Sequence, residues 1–342
     1  MDKIFLYGAS PTEIYEELNL DKKFQAKQIY QWLIKGVTDF NLMSNLSKAL
    51  RERLTNEFGS AISSKVIDTQ VDDSGATKLA IELYDGAIVE SVLLIDKNER
   101  MTACLSSQVG CAMGCKFCRT GTMGLVRNLN TAEIIEQFVH LRAIGNVTHI
   151  VFMGMGEPLA NFANVLSSIR FFHREDAFYI SLRRITISTC GVVSGINKLT
   201  EQNLNVKLAV SLVTADNNLR SDIMPINDSY NLEKLKKSLL HYQNKGGSRF
   251  TLEYCMLSGV NCDLQSAKKL ATFTNGLDAV VNLIPWNPAA ELPWTTPTTQ
   301  EINTFTKYLD EFHIKYARRF TRGRSVNGAC GQLATKSKIK EV

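Results

Sequence analysis

Three closely spaced cysteines are the residues of this sequence with the clearest chemical potential. Cys111, Cys115 and Cys118 form a Cys-x3-Cys-x2-Cys pattern in a stretch rich in small residues. Thiolates hold iron–sulfur clusters, and three ligands on a [4Fe–4S] cluster leave one iron open to another molecule. The alternative is a zinc site with Cys104 as fourth ligand, but zinc sites usually use paired Cys-x2-Cys units and no second pair is present. The pattern favours a cluster.

A glycine-rich turn after an apolar segment is a second chemical signal. The turn Gly154-Met155-Gly156-Glu157-Pro158 follows residues 151–153. Glycine lets a backbone approach a ligand closely, so this turn could pair with the amino group of S-adenosylmethionine (SAM) bound at the open iron. After a cluster loop, the turn resembles the GGEP-type motif of radical SAM enzymes, whose reduced cluster cleaves SAM to a 5′-deoxyadenosyl radical.

An isolated cysteine near the end of the chain is a further candidate. Cys330 lies in a basic, glycine-rich stretch without helical or strand periodicity, which predicts a mobile loop. Neighbouring Arg322 and Arg324 would favour its thiolate. A lone late cysteine can equally be buried packing. The residues alone leave both roles open.

Six strand-then-helix units must position these residues. The predicted strands are 101–105, 148–153, 184–189, 206–212, 249–256 and 279–284. The predicted helices are 132–143, 162–172, 193–202, 232–243, 264–273 and 298–312. This alternation predicts a parallel α/β fold, either a partial barrel or an open doubly wound sheet. Polar and glycine residues follow the strands, at the edge where such folds carry their chemistry.

The remaining sequence predicts accessory segments on both sides of an α/β core over 100–312. Residues 1–62 have helical apolar spacing, and 63–99 read as a β-hairpin extension with turns at Asp73-Ser74-Gly75 and Asp85-Gly86. Residues 313–342 carry eight Lys or Arg against one acidic residue, whereas the first 312 residues have a formal charge of −2. A basic end on a near-neutral body is typical of a polyanion partner.

The absence of several sequence patterns predicts the cellular compartment. The start, Met1-Asp2-Lys3-Ile4, lacks the pattern of a signal peptide, and no run of 18 apolar residues is present. Clustered cysteines argue against a disulfide framework and for metal binding in a reducing compartment. We expect a cytoplasmic protein without a membrane partner.

Five collinear segments resemble the RlmN/Cfr family of radical SAM RNA methyltransferases. The resemblance extends from about Phe24 to Leu333, and Gly156-Glu157-Pro158 and Pro285-Trp286-Asn287 are closer to RlmN than to Cfr. The segments are residues 104–118, 154–158, Met224-Pro225-Ile226-Asn227, 282–288 and 329–333. The resemblance implies a partial (β/α)6 TIM-like barrel of the radical SAM type with a small N-terminal helical domain and a β extension.

The resemblance also implies a relay that uses two SAM molecules per turnover. Adenine C2 and the methyl of SAM are both electrophilic, so a nucleophilic relay with radical activation is needed. The Cys330 thiolate takes a methyl from one SAM. A radical from the second SAM removes hydrogen from that methyl, and the resulting carbon radical adds to adenine C2. After a base removes the C2 proton and one electron leaves, Cys104 attacks the Cys330 sulfur, forming a disulfide and releasing 2-methyladenosine.

Further site residues and partners follow from the resemblance. Glu90 matches the family's proton acceptor, with Cys104 as the alternative base. Cys111, Cys115 and Cys118 match the cluster ligands. The implied SAM contacts are Gly156, Glu157, Ser188, Ser211, Leu212, Val213 and Asn287. Implied substrates are a peptidyl-transferase-centre adenosine of 23S rRNA and the adenosine 3′ of the anticodon in tRNA. An electron donor such as flavodoxin and a monomeric state are also expected.

Two departures from the family pattern bear on the target. Val213 stands where the family usually has a histidine, and residues 324–328 replace an acidic stretch, which indicates a divergent paralogue. The competing functions are Cfr-like methylation of adenine C8, a non-catalytic zinc or iron–sulfur RNA-binding module, and a radical SAM enzyme for a small molecule.

Overall fold

The computed structural model describes residues 4–289, 291–319 and 323–334. Arg322 and the terminal lysines at 336, 338 and 340, which contribute to the predicted basic end, lie outside these residues. None of the helices in the described part of the chain is both long enough and apolar enough to cross a bilayer.

The amino-terminal segment is helical, as its apolar spacing predicts. Its helices are Pro11–Glu17 (α1), Lys23–Ile34 (α2) and Lys48–Phe58 (α3). A capping box at Ser10 begins α1, and the Ser47 hydroxyl caps α3 by accepting from Leu50 N. Apolar side chains spaced at three or four residues, such as Ile29 and Leu33, are buried against one another.

One curved sheet runs through most of the molecule. Its ten strands are Lys65–Val71 (β1), Thr77–Glu82 (β2), Ile88–Ile95 (β3), Met101–Cys104 (β4), Val147–Phe152 (β7), Ile185–Thr189 (β8), Lys207–Ser211 (β9), Phe250–Met256 (β10), Ala279–Pro285 (β11) and Tyr316–Arg318 (β12). Two further strands, Gln108–Cys111 (β5) and Gly124–Asn128 (β6), form a separate hairpin. The strand order is β1-β2-β3-β4-β7-β8-β9-β10-β11-β12. Strands β1 to β4 pair antiparallel, and β4 and β7 to β12 pair parallel.

Helices alternate with the parallel strands and cover one face of the sheet. They are Arg119–Thr122 (α4), Thr131–Arg142 (α5), Phe162–His173 (α6), Val193–Glu201 (α7), Asn217–Ile223 (α8), Ile226–Ser229 (α9), Leu232–Asn244 (α10), Leu264–Thr274 (α11) and Thr299–Glu311 (α12). Capping boxes begin α5 at Asn130 and α12 at Thr298. All six predicted strand-then-helix units are confirmed, with ends that differ by at most two residues.

The sheet curls into a partial barrel rather than an open doubly wound sheet. Strands β4 and β12 are separated by five intervening strands, yet Thr102 and Cys104 of β4 and Arg318 of β12 line one cavity. Two features were not predicted from the sequence. Strand β12 adds a seventh parallel strand, and the β5–β6 hairpin flanks the cysteine loop.

Candidate active site

The three-cysteine loop is held by a hairpin below it and by side chains around it. Cys111 ends β5, and Cys118 precedes α4, after which β6 returns antiparallel to β5. The hairpin requires Gly110, whose φ is +76° and whose added Cβ would collide with the Gly124 carbonyl oxygen. Trp294 Nε1 donates to the Lys116 carbonyl at 2.7 Å, so the path of the loop is fixed by tertiary contacts.

The three thiols share one cavity and influence one another electrostatically. Cys111, Cys115 and Cys118 all line this cavity, which we call the cofactor cavity. Burial raises the pKa of each thiol, to about 11 for Cys111, and the Cys118 charge raises the pKa of Cys111 and Cys115 further. Bound metal favours the thiolate form. The donor set therefore fits a cationic iron–sulfur centre.

The position of Cys104 bears on the zinc alternative, in which this cysteine would be the fourth ligand. Cys104 is absent from the described lining of the cofactor cavity and lines a neighbouring cavity instead. The three loop cysteines therefore share their cavity without Cys104, which speaks against the predicted four-cysteine zinc site.

The glycine-rich turn closes one side of the cofactor cavity. Gly156 has a φ of +98°, and a Cβ there would meet Gln108 Cβ at 2.6 Å, so only glycine fits. Glu157 is buried, and burial raises the pKa of its carboxyl group. Its Oε1 accepts from Leu159 N at 3.0 Å and its Oε2 from Cys190 N at 2.7 Å. The Glu157 side chain thus joins the loops after β7 and β8.

Most of the predicted SAM contacts meet at this cavity. Its lining includes Gly156, Glu157, Ser188, Ser211, Val213 and Asn287. Leu212 is not among the lining residues described; it is fully buried, and its backbone N donates to the Glu253 carbonyl at 3.0 Å. Val213 adopts a φ of +62°, which is strained for a β-branched residue.

Cys330 lies between the cofactor cavity and a second cavity. It is exposed and lines both, and Cys104, at the end of β4, lines the second. Although the Cys330 residue is exposed, surrounding protein desolvates its thiol and raises the pKa, which Arg319 opposes. Burial also raises the pKa of the Cys104 thiol, and the charge of Cys330 adds to this effect. The two sulfurs therefore lie within electrostatic range of each other.

The loop that carries Cys330 is bound to the rest of the site. Thr120 Oγ1 donates to the Leu333 carbonyl at 2.6 Å, and Arg119 N donates to the Gly331 carbonyl at 2.8 Å. Asn287 Nδ2 donates to the Cys330 carbonyl at 3.1 Å. The cation that lowers the pKa of the Cys330 thiol is Arg319 rather than the predicted Arg324. Arg324 instead donates to Asn287 Oδ1 at 3.3 Å. The described loop residues are packed against the cysteine loop.

Glu90 reaches the same loop from outside both cavities. It is buried on β3, forms an ion pair with Lys78 Nζ at 2.9 Å, and accepts from Ala334 N at 2.9 Å. It is absent from the described residues that line either cavity. Burial raises the pKa of the Glu90 carboxyl group, and Lys78 opposes that rise.

Three functional candidates were missed by sequence reasoning. Glu253 and Arg319 line the cofactor cavity. Arg220 is fully buried and donates to the carbonyls of Cys190 at 2.8 Å and Leu212 at 3.2 Å. A signal existed for two of them, because Glu253 interrupts an apolar strand and Arg220 lies just before the segment at 224–227.

Two family models match the chain. One describes the radical SAM superfamily and matches residues 105–270. The other describes a ribosomal RNA large subunit methyltransferase N-terminal domain and matches residues 15–59. The first match covers the partial barrel from the end of β4 into α11, and the second covers most of the amino-terminal helical segment.

Curated relatives match over nearly the whole chain. A probable dual-specificity RNA methyltransferase RlmN of Treponema denticola is 44% identical over 97% of this chain and 96% of its own. The dual-specificity RNA methyltransferase RlmN of a Nitratiruptor species is 42% identical over 92% and 94%. A crystal structure of a radical SAM methyltransferase from Sphaerobacter thermophilus superposes with a TM-score of 0.90 at 36% identity, covering 96% of this chain and 99% of that one.

Proposed function

The chain belongs to the RlmN family of radical SAM methyltransferases, with a [4Fe–4S] cluster and SAM as its cofactors, and we propose that it forms 2-methyladenosine in RNA. The proposed route is a methyl-cysteine relay through Cys330. The observation that carries it is the position of Cys330, whose residue lines both the cofactor cavity and the cavity shared with Cys104. A methyl group can therefore be transferred to its sulfur from the cofactor cavity and then face a substrate in the second cavity.

Cys111, Cys115 and Cys118 hold the cluster, which supplies the electron that cleaves SAM to a carbon radical. Gly156, Ser188, Ser211 and Asn287 offer backbone and side-chain groups to SAM from the carboxyl ends of the strands. Glu157 supports these groups by joining two of the loops that carry them.

The Cys330 thiolate accepts a methyl group from one SAM by displacement at carbon. Arg319 favours the required thiolate because it lowers the pKa of the thiol against the effect of desolvation. The same S-methyl carbon would later lose a hydrogen atom to the 5′-deoxyadenosyl radical and bond adenine C2. Loss of the C2 proton to a base and of one electron to the oxidised cluster would restore the aromatic ring. Attack by the Cys104 thiolate on the Cys330 sulfur then breaks the sulfur–carbon bond and forms a disulfide, and the electron pair left on the carbon takes up a proton to complete the methyl group.

Two residues are candidates for removing the C2 proton. Cys104 lines the second cavity together with Cys330. Glu90 binds Lys78 and the backbone of Ala334 and lies behind the loop that carries Cys330. These contacts favour Cys104 as the group nearer the substrate and Glu90 as the residue that holds the loop.

The second cavity supports an RNA substrate. Its lining includes the basic residues Lys97, Arg100, Arg318 and Arg319 and the acidic residue Asp96, which pairs with Arg100 at 2.8 Å. Positive side chains therefore outnumber negative ones beside the reactive site, and an excess of positive charge attracts phosphates. Relatives are named dual-specificity RNA methyltransferases. We infer that the targets are the peptidyl-transferase-centre adenosine of 23S rRNA and the adenosine 3′ of the anticodon in tRNA. A flavodoxin-type electron donor, a monomeric state and a cytoplasmic location complete the proposal.

Mapping modified adenosines in rRNA and tRNA from cells with and without the gene tests this function. C2 methylation should disappear in the deletion strain, return with the wild-type gene and stay absent with Cys330→Ala. The matched control is Cys262→Ala, which alters a half-buried cysteine outside both cavities among the described residues and should restore methylation. Retained C2 methylation in the deletion strain, or a C8 product, would contradict the proposal.

A further inference from the structure

Glu253 carries a buried carboxylate oxygen that lacks a hydrogen-bond donor. The residue lies on β10 and is 6% exposed. Its Oε1 accepts from Thr251 Oγ1 and Asn282 Nδ2, each at 2.8 Å. Its Oε2 has no hydrogen-bond partner among the described residues, although Arg319 Nη1 forms an ion pair with it at 3.5 Å. The protein fixes one oxygen and leaves the other available.

The residue that carries this oxygen lines the cofactor cavity. Glu253 lines that cavity together with Ser211 and Cys330. Its neighbours in register are Ser211 on β9 and Asn282 on β11, so it lies in the interior of the parallel sheet. A buried carboxylate oxygen without a donor is unfavourable and rare in native proteins. The missing donor therefore belongs to the occupant of the cavity.

The position of β10 indicates which part of SAM can supply that donor. The cysteine loop and the turn at Gly156, assigned to the amino-acid end of SAM, follow β5 and β7. Strand β10 is three strands from β7, which is about 14 Å across a sheet at the usual strand spacing. The adenosine end of the molecule therefore lies closer to Glu253. In nucleotide sites, Asp and Glu carboxylates commonly accept from ribose hydroxyls.

We propose that Glu253 Oε2 accepts a hydrogen bond from a ribose hydroxyl of SAM and thereby selects the ribose form of the cofactor. Arg319 already balances the charge of the carboxylate, so the remaining contact suits a neutral donor. The proposal rests on the proposed function because it requires SAM in this cavity.

SAM affinity of the anaerobically reconstituted, cluster-loaded enzyme tests the proposal. Glu253→Ala should weaken SAM binding about tenfold or more, because hydrogen bonds to charged groups are the stronger kind. Glu253→Gln keeps the volume of the side chain and should weaken binding about fivefold even if the alanine variant fails to fold. Thr251→Val is the matched control, since it removes a donor to Oε1 and leaves Oε2 in place; its effect should stay below about threefold.

SAM analogues lacking the 2′- or the 3′-hydroxyl identify the atom that donates. One of the two should bind the wild-type enzyme about tenfold more weakly than SAM, and this penalty should vanish in the Glu253→Ala variant, or in Glu253→Gln if alanine is not tolerated. A penalty that persists undiminished would overturn the proposal, as would equal SAM affinity in the wild-type and variant enzymes.

Two further outcomes separate this proposal from the proposed function. If the Glu253 variants lose RNA affinity and keep SAM affinity, the carboxylate serves the adenosine of the substrate, and the SAM contact is wrong. If the wild-type enzyme carries its cluster and binds no SAM, the proposed function itself fails.

Discussion

Two buried charged side chains, Arg220 and Glu253, organise the carboxyl ends of neighbouring strands. Arg220 donates to backbone carbonyls after β8 and β9 and to Asn227 Oδ1 at 3.0 Å. Its described hydrogen-bond partners are all neutral, so its burial is compensated by several oxygen dipoles rather than by a carboxylate. Glu253 sits between β9 and β11. Arg220 thus cross-links loops at the cofactor cavity, and Glu253 links β10 to Asn282 of β11.

Replacing Arg220 with Met should lower the free energy of unfolding by about 3 kcal/mol, because the substitution leaves several buried carbonyls without donors. Chemical denaturation of the purified protein measures the change. Arg170→Met is the control, since Arg170 is exposed on α6 and donates to Gln202 Oε1; it should change stability by about 0.5 kcal/mol or less. Equal effects of the two substitutions would show that Arg220 is not a structural cross-link.

The convergence of the three cysteines on one cavity could be predicted from the sequence because they lie within eight residues of each other. The position of Ser188 and Ser211 in the lining of the same cavity could be predicted because they lie at strand ends. Arg220 and Glu253 have only weak local signals, because a charged residue within a helix or strand usually faces solvent. Only the packing of several distant segments shows that these two are buried.

At the level of elements, the most regular units were the easiest to predict. The six strands of the predicted barrel have apolar runs, and helices such as α5 and α12 begin at capping boxes. Strand β12 has three residues and is defined by its pairing with β11, for example Tyr316 with Val281. The β5–β6 hairpin has no apolar alternation of its own. Such elements depend on tertiary pairing, which sequence periodicity does not record.

The link between β3 and the loop that carries Cys330 can be tested with Glu90→Ala. The substitution removes the acceptor for Ala334 N and leaves Lys78 unpaired. Hydrogen exchange of residues 328–334 should become about tenfold faster, because the loss of one buried bond to a charged acceptor is worth at least 1.4 kcal/mol. Glu57→Ala breaks an exposed ion pair with Arg53 and should leave that exchange unchanged. Unchanged exchange in the Glu90 variant would show that the loop is held by its other contacts.

At the scale of the whole molecule, the amino-terminal helices are joined to the barrel through α5. Glu136 on α5 is fully buried and accepts from Ser63 N at 3.0 Å and Ser63 Oγ at 2.9 Å. Ser64 Oγ lies 3.0 Å from His140 Nε2, and Arg142 Nη1 donates to the Ile34 carbonyl at 2.9 Å. A titratable carboxyl group therefore lies at the junction of the two parts.

The Glu136 carboxyl group at this junction should make the free energy of unfolding depend on pH. Burial raises the pKa of Glu136 from 4.5 to about 7, so the folded state binds the extra proton between these values. The stabilising contribution is complete below pH 4.5 and is lost as pH rises through about 7. Glu136→Gln should remove this loss, which is worth about 3 kcal/mol because each pKa unit corresponds to about 1.4 kcal/mol.

Denaturation of wild type and Glu136→Gln at several pH values measures the effect. Burial lowers the pKa of His140 to about 4, so His140 acts in the opposite direction below pH 6.5. Because both proteins share His140, the difference between them isolates Glu136. Parallel pH profiles for the two proteins would contradict the assignment.

Charge on the catalytic face should govern RNA affinity. Arg318 lines the second cavity, whereas Arg249 precedes β10 at the opposite end of the strands and pairs with Asp278. If Arg318 contacts one phosphate, Arg318→Ala should reduce the slope of log affinity against log salt by about 0.7–0.9. Arg249→Ala should leave the slope unchanged. Equal slopes for wild type and Arg318→Ala in filter binding with tRNA would place the contact elsewhere.

The hydrogen bonds from Thr120 and Arg119 join the Cys330 loop to the residues that follow Cys118. A cluster held by Cys111, Cys115 and Cys118 would therefore also steady residues 331–333, which these bonds hold. A newly made chain without iron should be cleaved more readily by protease near its carboxyl end than the matured enzyme. Cluster loading and the ordering of the Cys330 loop would then occur together. A chain without its cluster would therefore not consume SAM unproductively.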